Sequence, residues 1–356
     1  MIRFAWLQSR TQTLVAAALL AAAAIALGIT GPHLVRMYGT MVADCAAAGD
    51  CQSASTAFLS SDHTLQLVLN VLGFVVPLTI GLFWGAPLVA QELEAGTFRL
   101  AWTQSVTRAR WLTVRLTVVG LISMAAAGLF SLMVTWWFSP LDRVGMNPYG
   151  SFDYRDIVPV GYAAFAFALG VTLGMLTRHT LPAMAIALAA FFTARLTFRT
   201  WIRPQLLAPV HDALALNPGS TGYGSEGFLP FVGPSTLQPA TPNIPGAWFT
   251  SVQIVNKAGQ PLSNQVLNST CPGLNSGRGG GGGGGLGNTS HTHAPASVTN
   301  RTQDCVAKVG RTYHELVTYQ PASRYWPLQW YELAIFLGVA ILLSGFCVWR
   351  IRRHPG

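Results

Sequence analysis

Residues 65–116 read LQLVLNVLGFVVPLTIGLFWGAPLVAQELEAGTFRLAWTQSVTRARWLTVRL. From Leu65 to Ala90 there is no Asp, Glu, Lys or Arg. As a helix this run would extend about 39 Å at about 1.5 Å per residue, more than a hydrocarbon core of about 30 Å. Charge returns at Glu92 and Glu94, changes sign at Arg99, Arg108 and Arg110, and gives way to a second apolar run from Leu112. Two membrane crossings joined by a short polar segment account for this order.

Apolar runs of spanning length recur at 12–30, 112–138, 157–176, 181–199 and 331–350, which makes six in all. The chain is 51% hydrophobic and only 10% charged, roughly two-fifths of the charge of a typical soluble domain. The fold class expected is therefore an all-α membrane protein of six transmembrane helices, with a large extracytoplasmic loop between helices five and six. The first run follows Arg3 and Arg10 as a signal peptide would, but the spans after it make an uncleaved anchor the better reading.

Cations resist translocation, so their distribution over short segments orients the spans. Arg3, Arg10, Arg99, Arg108, Arg110, Arg178, Arg350, Arg352 and Arg353 fall on one side, and Arg36, Arg143 and Arg155, diluted by six aspartates, fall on the other. Both termini are expected in the cytoplasm, in a multi-pass protein of the cell membrane. The cysteines sort in the same way: Cys45 and Cys51 lie in the first outer loop, Cys271 and Cys305 in the last, and Cys347 alone within a span. Disulfides persist only on the oxidising side. Four cysteines allow three pairings; proximity favours Cys45 with Cys51 and Cys271 with Cys305.

Three regions follow: residues 1–200 with five helices, 201–330 outside, and 331–356 with the sixth helix and a basic tail. The middle region is rich in Pro, Gly, Ser, Thr and Asn and contains seven consecutive glycines, Gly279 to Gly285, a composition expected to be disordered. FTSVQIV (249–255) reads as a β-strand of a small external subdomain.

Several functions are excluded. The cations are scattered between apolar runs, not gathered on one face, so nucleic acid is not a partner. The only lysines, Lys257 and Lys308, follow no Gly-rich loop, so no Walker A phosphate cradle exists. H-E-x-x-H and G-x-S-x-G are missing, and His291-Thr292-His293 in a Gly-rich tract reads as a solvated loop, so no catalytic residue, metal or cofactor is expected. The spans hold no acidic residue in their interiors, the nearest being Glu332 at the edge of the sixth, which weighs against ion-coupled transport. Arg195 and Arg199 close the fifth span and read as snorkelling anchors. Tyr325, Trp326, Trp330 and Tyr331 read as interfacial anchors, in a short piece that Pro321 and Pro327 separate from the sixth helix. Pro77 and Pro87 are expected to kink the second span.

Within residues 91–110, Phe98, Ala101, Trp102, Ser105 and Val106 recur at helical spacing on one face while the arginines stay wet, the pattern of an amphipathic helix on a membrane or a partner. The six-span order, the turn Gln91-Glu92-Leu93-Glu94-Ala95-Gly96-Thr97 with its basic follow-on, and TYQPASRYWPLQWYE (318–332) resemble permease subunits of type 2 ATP-binding cassette exporters, particularly the actinobacterial kind. The resemblance implies a permease without a nucleotide site, a separate ATPase subunit docked on the cytoplasmic helix, and a second permease copy or homologue. It would place ATPase coupling at Glu92, Glu94, Gly96, Thr97, Arg99, Trp102 and Arg108. The long segment between spans five and six departs from that family. The competing reading is a non-transporting membrane anchor or sensor with an extracytoplasmic ligand-binding loop.

Overall fold

The computed structural model describes residues 2–40, 58, 63–94, 108–144, 146–216, 244–270, 304 and 307–353. Among the described residues, six helices are long and apolar enough to cross a membrane: Ala16–Tyr38, Thr64–Gln91, Ala109–Arg143, Val158–Thr177, Thr180–Gln205 and Ala322–Arg353, here the first to sixth spans. They coincide with the six apolar runs and extend beyond most of them.

The fourth span, VPVGYAAFAFALGVTLGMLT, is apolar around its whole circumference, which suits a helix enclosed by others. Fifteen of its twenty residues are buried. Its small residues admit neighbouring backbones. A Cβ added to Gly170 would stand 2.3 Å from Gly81 O, and one on Gly174 2.5 Å from Ala86 O. Both contacts fall on the second span, where the chain adopts a π-helical turn at Ile80–Gly85 and Ala86 donates its N–H to Gly81 O. That turn lies between Pro77 and Pro87. Pro87 has no N–H to offer, and the hydrogen-bond ladder changes register immediately before it. The expected irregularity is therefore a widened turn, one of the ordinary causes of bent helices.

The first span packs on the third through Leu27, Leu34, Trp137 and Phe138. Trp137 Nε1 donates to Thr30 Oγ1 at 3.0 Å, which satisfies a buried indole N–H. Large apolar side chains such as Leu19, Ile29, Leu181 and Leu342 point away from the protein and are exposed, as lipid-facing positions should be.

The sixth helix runs unbroken from Tyr325 to Arg353. The expected break at Pro327 does not occur. This proline is the third residue of the helix, and the first turn has no internal acceptor for an N–H in any case. Only Pro321 precedes the helical run, which opens with a 3-10 turn at Ala322–Arg324.

The chain divides into two units, Met1–Leu207 with Ala322–Gly356, and Ala208–Pro321. The second unit corrects the all-α expectation. It holds a three-stranded antiparallel sheet of order β1-β3-β2, with β1 Val210–Ala215, β2 Trp248–Asn256 and β3 Tyr313–Gln320. The expected strand 249–255 lies within β2. A bulge between Phe249 and Ser251 shifts its register against β3, and Thr250 Oγ1 donates to Thr318 O there.

Candidate functional site

Successive spans run in opposite directions, so the end of the third, the connector residues 146–157, the start of the fourth, the end of the fifth and the start of the sixth share one end of the bundle. The connector is folded into the helices. Asn147 caps its 3-10 turn by accepting the Tyr149 N–H at 3.0 Å, and Tyr149, Phe152 and Tyr154 are buried. Asp156 has a left-handed backbone, φ 63°. It is held by its N–H to Thr135 Oγ1 at 2.9 Å, by Ser131 Oγ to its carbonyl at 2.7 Å, and by the Tyr325 hydroxyl donating to its carboxylate. Arg155 makes a two-pronged ion pair with Asp142 at 2.9 and 2.6 Å, the strong geometry for guanidinium and carboxylate. Gln329 accepts the Val158 N–H at 3.1 Å and donates to Phe152 O at 3.2 Å.

Beside this scaffold lies a buried ion network. Asp153 from the connector meets Arg195, Arg199 and Arg203 of the fifth span. Arg203 donates to Glu332 of the sixth span at 2.8 and 2.9 Å, and the Tyr162 hydroxyl of the fourth span donates to the same carboxylate. Burial pushes the Asp153 carboxyl up, but the guanidinium groups of Arg203, Arg195 and Arg199 outweigh it and hold the carboxyl well below the usual carboxylate range. Arg203 lies 4.3 Å from the Phe152 ring centroid and Arg195 3.4 Å from that of Tyr162, so the cations are stacked on aromatic faces as well as paired. The network joins the connector, the fifth span and the sixth span by charge, and the fourth span through the Tyr162 hydroxyl.

Two expectations change here. Arg195 is not a snorkelling anchor, because it is buried and turned into the protein; Arg199, more than half exposed, is the one cation of the set that reaches outward. Glu332 lies eight residues into the sixth helix and is 1% exposed, so a span does carry an enclosed carboxylate. It is matched by Arg203, which makes it part of an ion pair. Of the four expected anchors, Trp326, Trp330 and Tyr331 are exposed, whereas Tyr325 is buried on Asp156 and Gln329.

At the opposite end of the bundle the fourth span closes on Arg178, φ 58°, whose N–H reaches Gly174 O. The fifth span then starts at Thr180. Glu94 receives the Thr180 N–H at 3.0 Å and its hydroxyl at 2.6 Å, with His179 Nδ1 3.4 Å away. The Thr180 hydroxyl and its N–H, and to a lesser extent His179, lower the Glu94 pKa below the usual value against the opposing effect of desolvation. A carboxylate on a helix N-terminus is the favourable arrangement.

Among the other expected coupling residues, the backbone of Glu92 lies in the last turn of the helix that ends at Glu94 and that of Arg108 begins the next helix, while their side chains, and all of Gly96, Thr97, Arg99 and Trp102, lie outside the described residues. So do Cys45, Cys51, Cys271 and Cys305. Among the described residues no group of three or more His, Cys, Asp or Glu is placed to hold a metal. Of the network residues, Tyr162 and Arg203 were not singled out from the sequence, Asp153 entered only as a charge of an outer loop and Glu332 only as a boundary residue, although Arg195, Arg199 and Arg203 stand four residues apart, a visible helical stripe.

Residues 17–203, over half the chain and essentially its first five spans, match the family model described as ABC-2 membrane transporter related. The chain belongs to this family. No curated protein and no solved structure matches it. As an ABC-2 membrane transporter related protein it is a membrane component and not itself an ATPase. The matched stretch contains Glu94, Asp153 and Arg195, while Glu332 and the sheet of the second unit lie beyond it.

Proposed function

We propose that the chain is the permease subunit of an ATP-binding cassette exporter of the cell membrane. Both termini and residues 91–110 face the cytoplasm, and residues 208–321 lie outside, where Cys45 pairs with Cys51 and Cys271 with Cys305. A second copy or a homologue completes the pathway, and a separate ATPase subunit docks on 91–110. Trp326, Trp330 and Tyr331 anchor the outer end of the sixth span. The observation that carries this reading is the hydrogen bonding of Glu94 to Thr180. A permease without nucleotide chemistry must be driven by contact, and a displacement of the segment that begins after Glu94 is passed directly to the first residue of the fifth span. The other end of that span holds the arginines of the buried network, so one continuous span connects the docking end to the far end.

The test is purification with the ATPase encoded nearest to this chain, reading co-elution and ATP turnover. Glu92→Ala and Trp102→Ala are expected to weaken association or uncouple turnover; charge-assisted contacts of this kind contribute about 1.5–3 kcal/mol each. Full association, turnover and transport in both variants would remove 91–110 as the coupling element. A sensor or anchor would show no permease-dependent ATP turnover at all.

A further inference from the structure

Arg195, Arg199 and Arg203 converge on the one carboxylate of Asp153. Arg203 is also matched by Glu332. Arg195 Nη2 remains 3.7 Å from Asp153 Oδ1, and Arg199 Nη1 3.4 Å from Oδ2, both longer than a good charge-assisted hydrogen bond. Within this set three cations share two carboxylates, one positive charge in excess, while the adjoining carboxylates Asp142 and Asp156 are both taken up by Arg155. Among the described residues, Arg195 Nη1 is buried and has no acceptor. A guanidinium N–H removed from water without an acceptor is costly, so this edge of the network is incomplete in both charge and hydrogen bonding.

The surroundings define what completes it. The excess is positive, so the acceptor is an anion. Tyr162 covers one face of Arg195, and Phe74 and Phe191 flank it, which leaves the approach past Arg199, whose side chain is 59% exposed. Trp201, two residues on, is exposed, as are Trp326 and Trp330 at the same end of the bundle. Exposed indoles settle at the level of the lipid headgroups, where phosphates are abundant. Guanidinium forks match phosphate oxygens in two-pronged geometry.

We propose that Arg195 and Arg199 form a binding site for a single phosphate group, supplied by an anionic phospholipid headgroup or by free phosphate. Arg199 captures the anion at the surface and Arg195 Nη1 receives its inner oxygen, while Asp153 stays with Arg203. The site rests on the helical bundle alone and holds whether or not the chain moves a substrate.

The full chain in neutral detergent is equilibrated with phosphatidylglycerol or with phosphatidylcholine and examined by native mass spectrometry. Thermal unfolding is followed in sodium phosphate against sodium chloride of equal ionic strength. Phosphatidylglycerol is expected to be retained over phosphatidylcholine. Arg199→Gln, at an exposed position that leaves the core intact, should weaken retention about ten- to hundredfold, the value of one charge-assisted hydrogen bond. Arg199→Lys keeps charge without the fork and should fall between. Stabilisation by inorganic phosphate as well assigns the site to the phosphate group itself; stabilisation by phosphatidylglycerol alone assigns it to the intact headgroup. Equal retention of both lipids with no effect of phosphate would overturn the proposal, as would a folded Arg199→Gln or Arg195→Gln variant that binds phosphatidylglycerol as tightly as the parent chain.

Discussion

Glu94 closes the N-terminus of the fifth span by accepting both the N–H and the hydroxyl of Thr180, at 3.0 and 2.6 Å. Because the folded pKa of Glu94 is lowered, this contribution is present above the ordinary glutamate range near about 4.3 and is lost as pH falls through the lower folded value. Hydrogen-exchange protection of the Thr180 amide should be retained at pH 7, fall in strong acid, and be reduced at every pH in Glu94→Ala. Protection unchanged in that variant would show that water caps the helix equally well.

The Arg203–Glu332 pair is buried on both sides, 5% and 1% exposed, and breaking such a pair by removing one partner costs about 3–5 kcal/mol. Glu332→Ala should lower the thermal unfolding midpoint in detergent strongly. Arg203→Leu combined with Glu332→Leu should cost less than the two single changes added together, since the uncompensated charge disappears. Additive losses would mean that the two side chains stabilise the bundle independently.

Asp153 tests the same network by pH. Its folded pKa lies below the usual carboxylate range, so its contribution is complete above about 3.9 and lost only as pH falls through the depressed value. Lowering pH from 7 to 5 should leave the unfolding midpoint of the parent chain and of Asp153→Asn shifted alike. A midpoint that drops in the parent alone over this interval would show that Asp153 titrates there.

Close packing of the second and fourth spans makes another prediction. Gly170→Ala places a methyl group within 2.3 Å of Gly81 O and 2.8 Å of Ala86 N, both backbone atoms that cannot step aside. Overpacking of this kind costs about 1–3 kcal/mol. Gly338→Ala, where nothing lies within 4 Å, should leave yield and unfolding midpoint unchanged. Equal behaviour of the two variants would mean that the helices part easily at Gly170.

Orientation is open to labelling. Gly150 is exposed with nothing within 4 Å, and His179 is 71% exposed at the opposite end. Gly150→Cys should react with an impermeant thiol reagent in whole cells, while His179→Cys should react only after permeabilisation. The reverse pattern would invert the proposed topology.

The six spans were legible in the sequence because a hydrocarbon solvent requires each crossing to be long, apolar and self-satisfied in its hydrogen bonds, and a run such as 65–90 meets that requirement without reference to any neighbour. The strand at 249–255 was legible for the same local reason, through its β-branched and aromatic residues. The roles of the charged residues were not. Arg195 followed by Arg199 at the end of an apolar run is what a snorkelling anchor looks like, and Glu332 at the start of one looks like a boundary. Whether such a group faces lipid headgroups or a counter-ion depends on residues far along the chain: Arg203 lies 50 residues from Asp153 and 129 from Glu332, and Tyr162 and Glu332 are 170 apart. Pro327 was misplaced because a proline breaks a helix only where an N–H is needed, and the start of the helix was set by Tyr325 docking on Asp156 and Gln329. Hydrophobic partition acts residue by residue and is written along the chain, whereas charge pairing inside a bundle acts across it and was decided only when the fourth, fifth and sixth spans closed on the connector that carries Asp153.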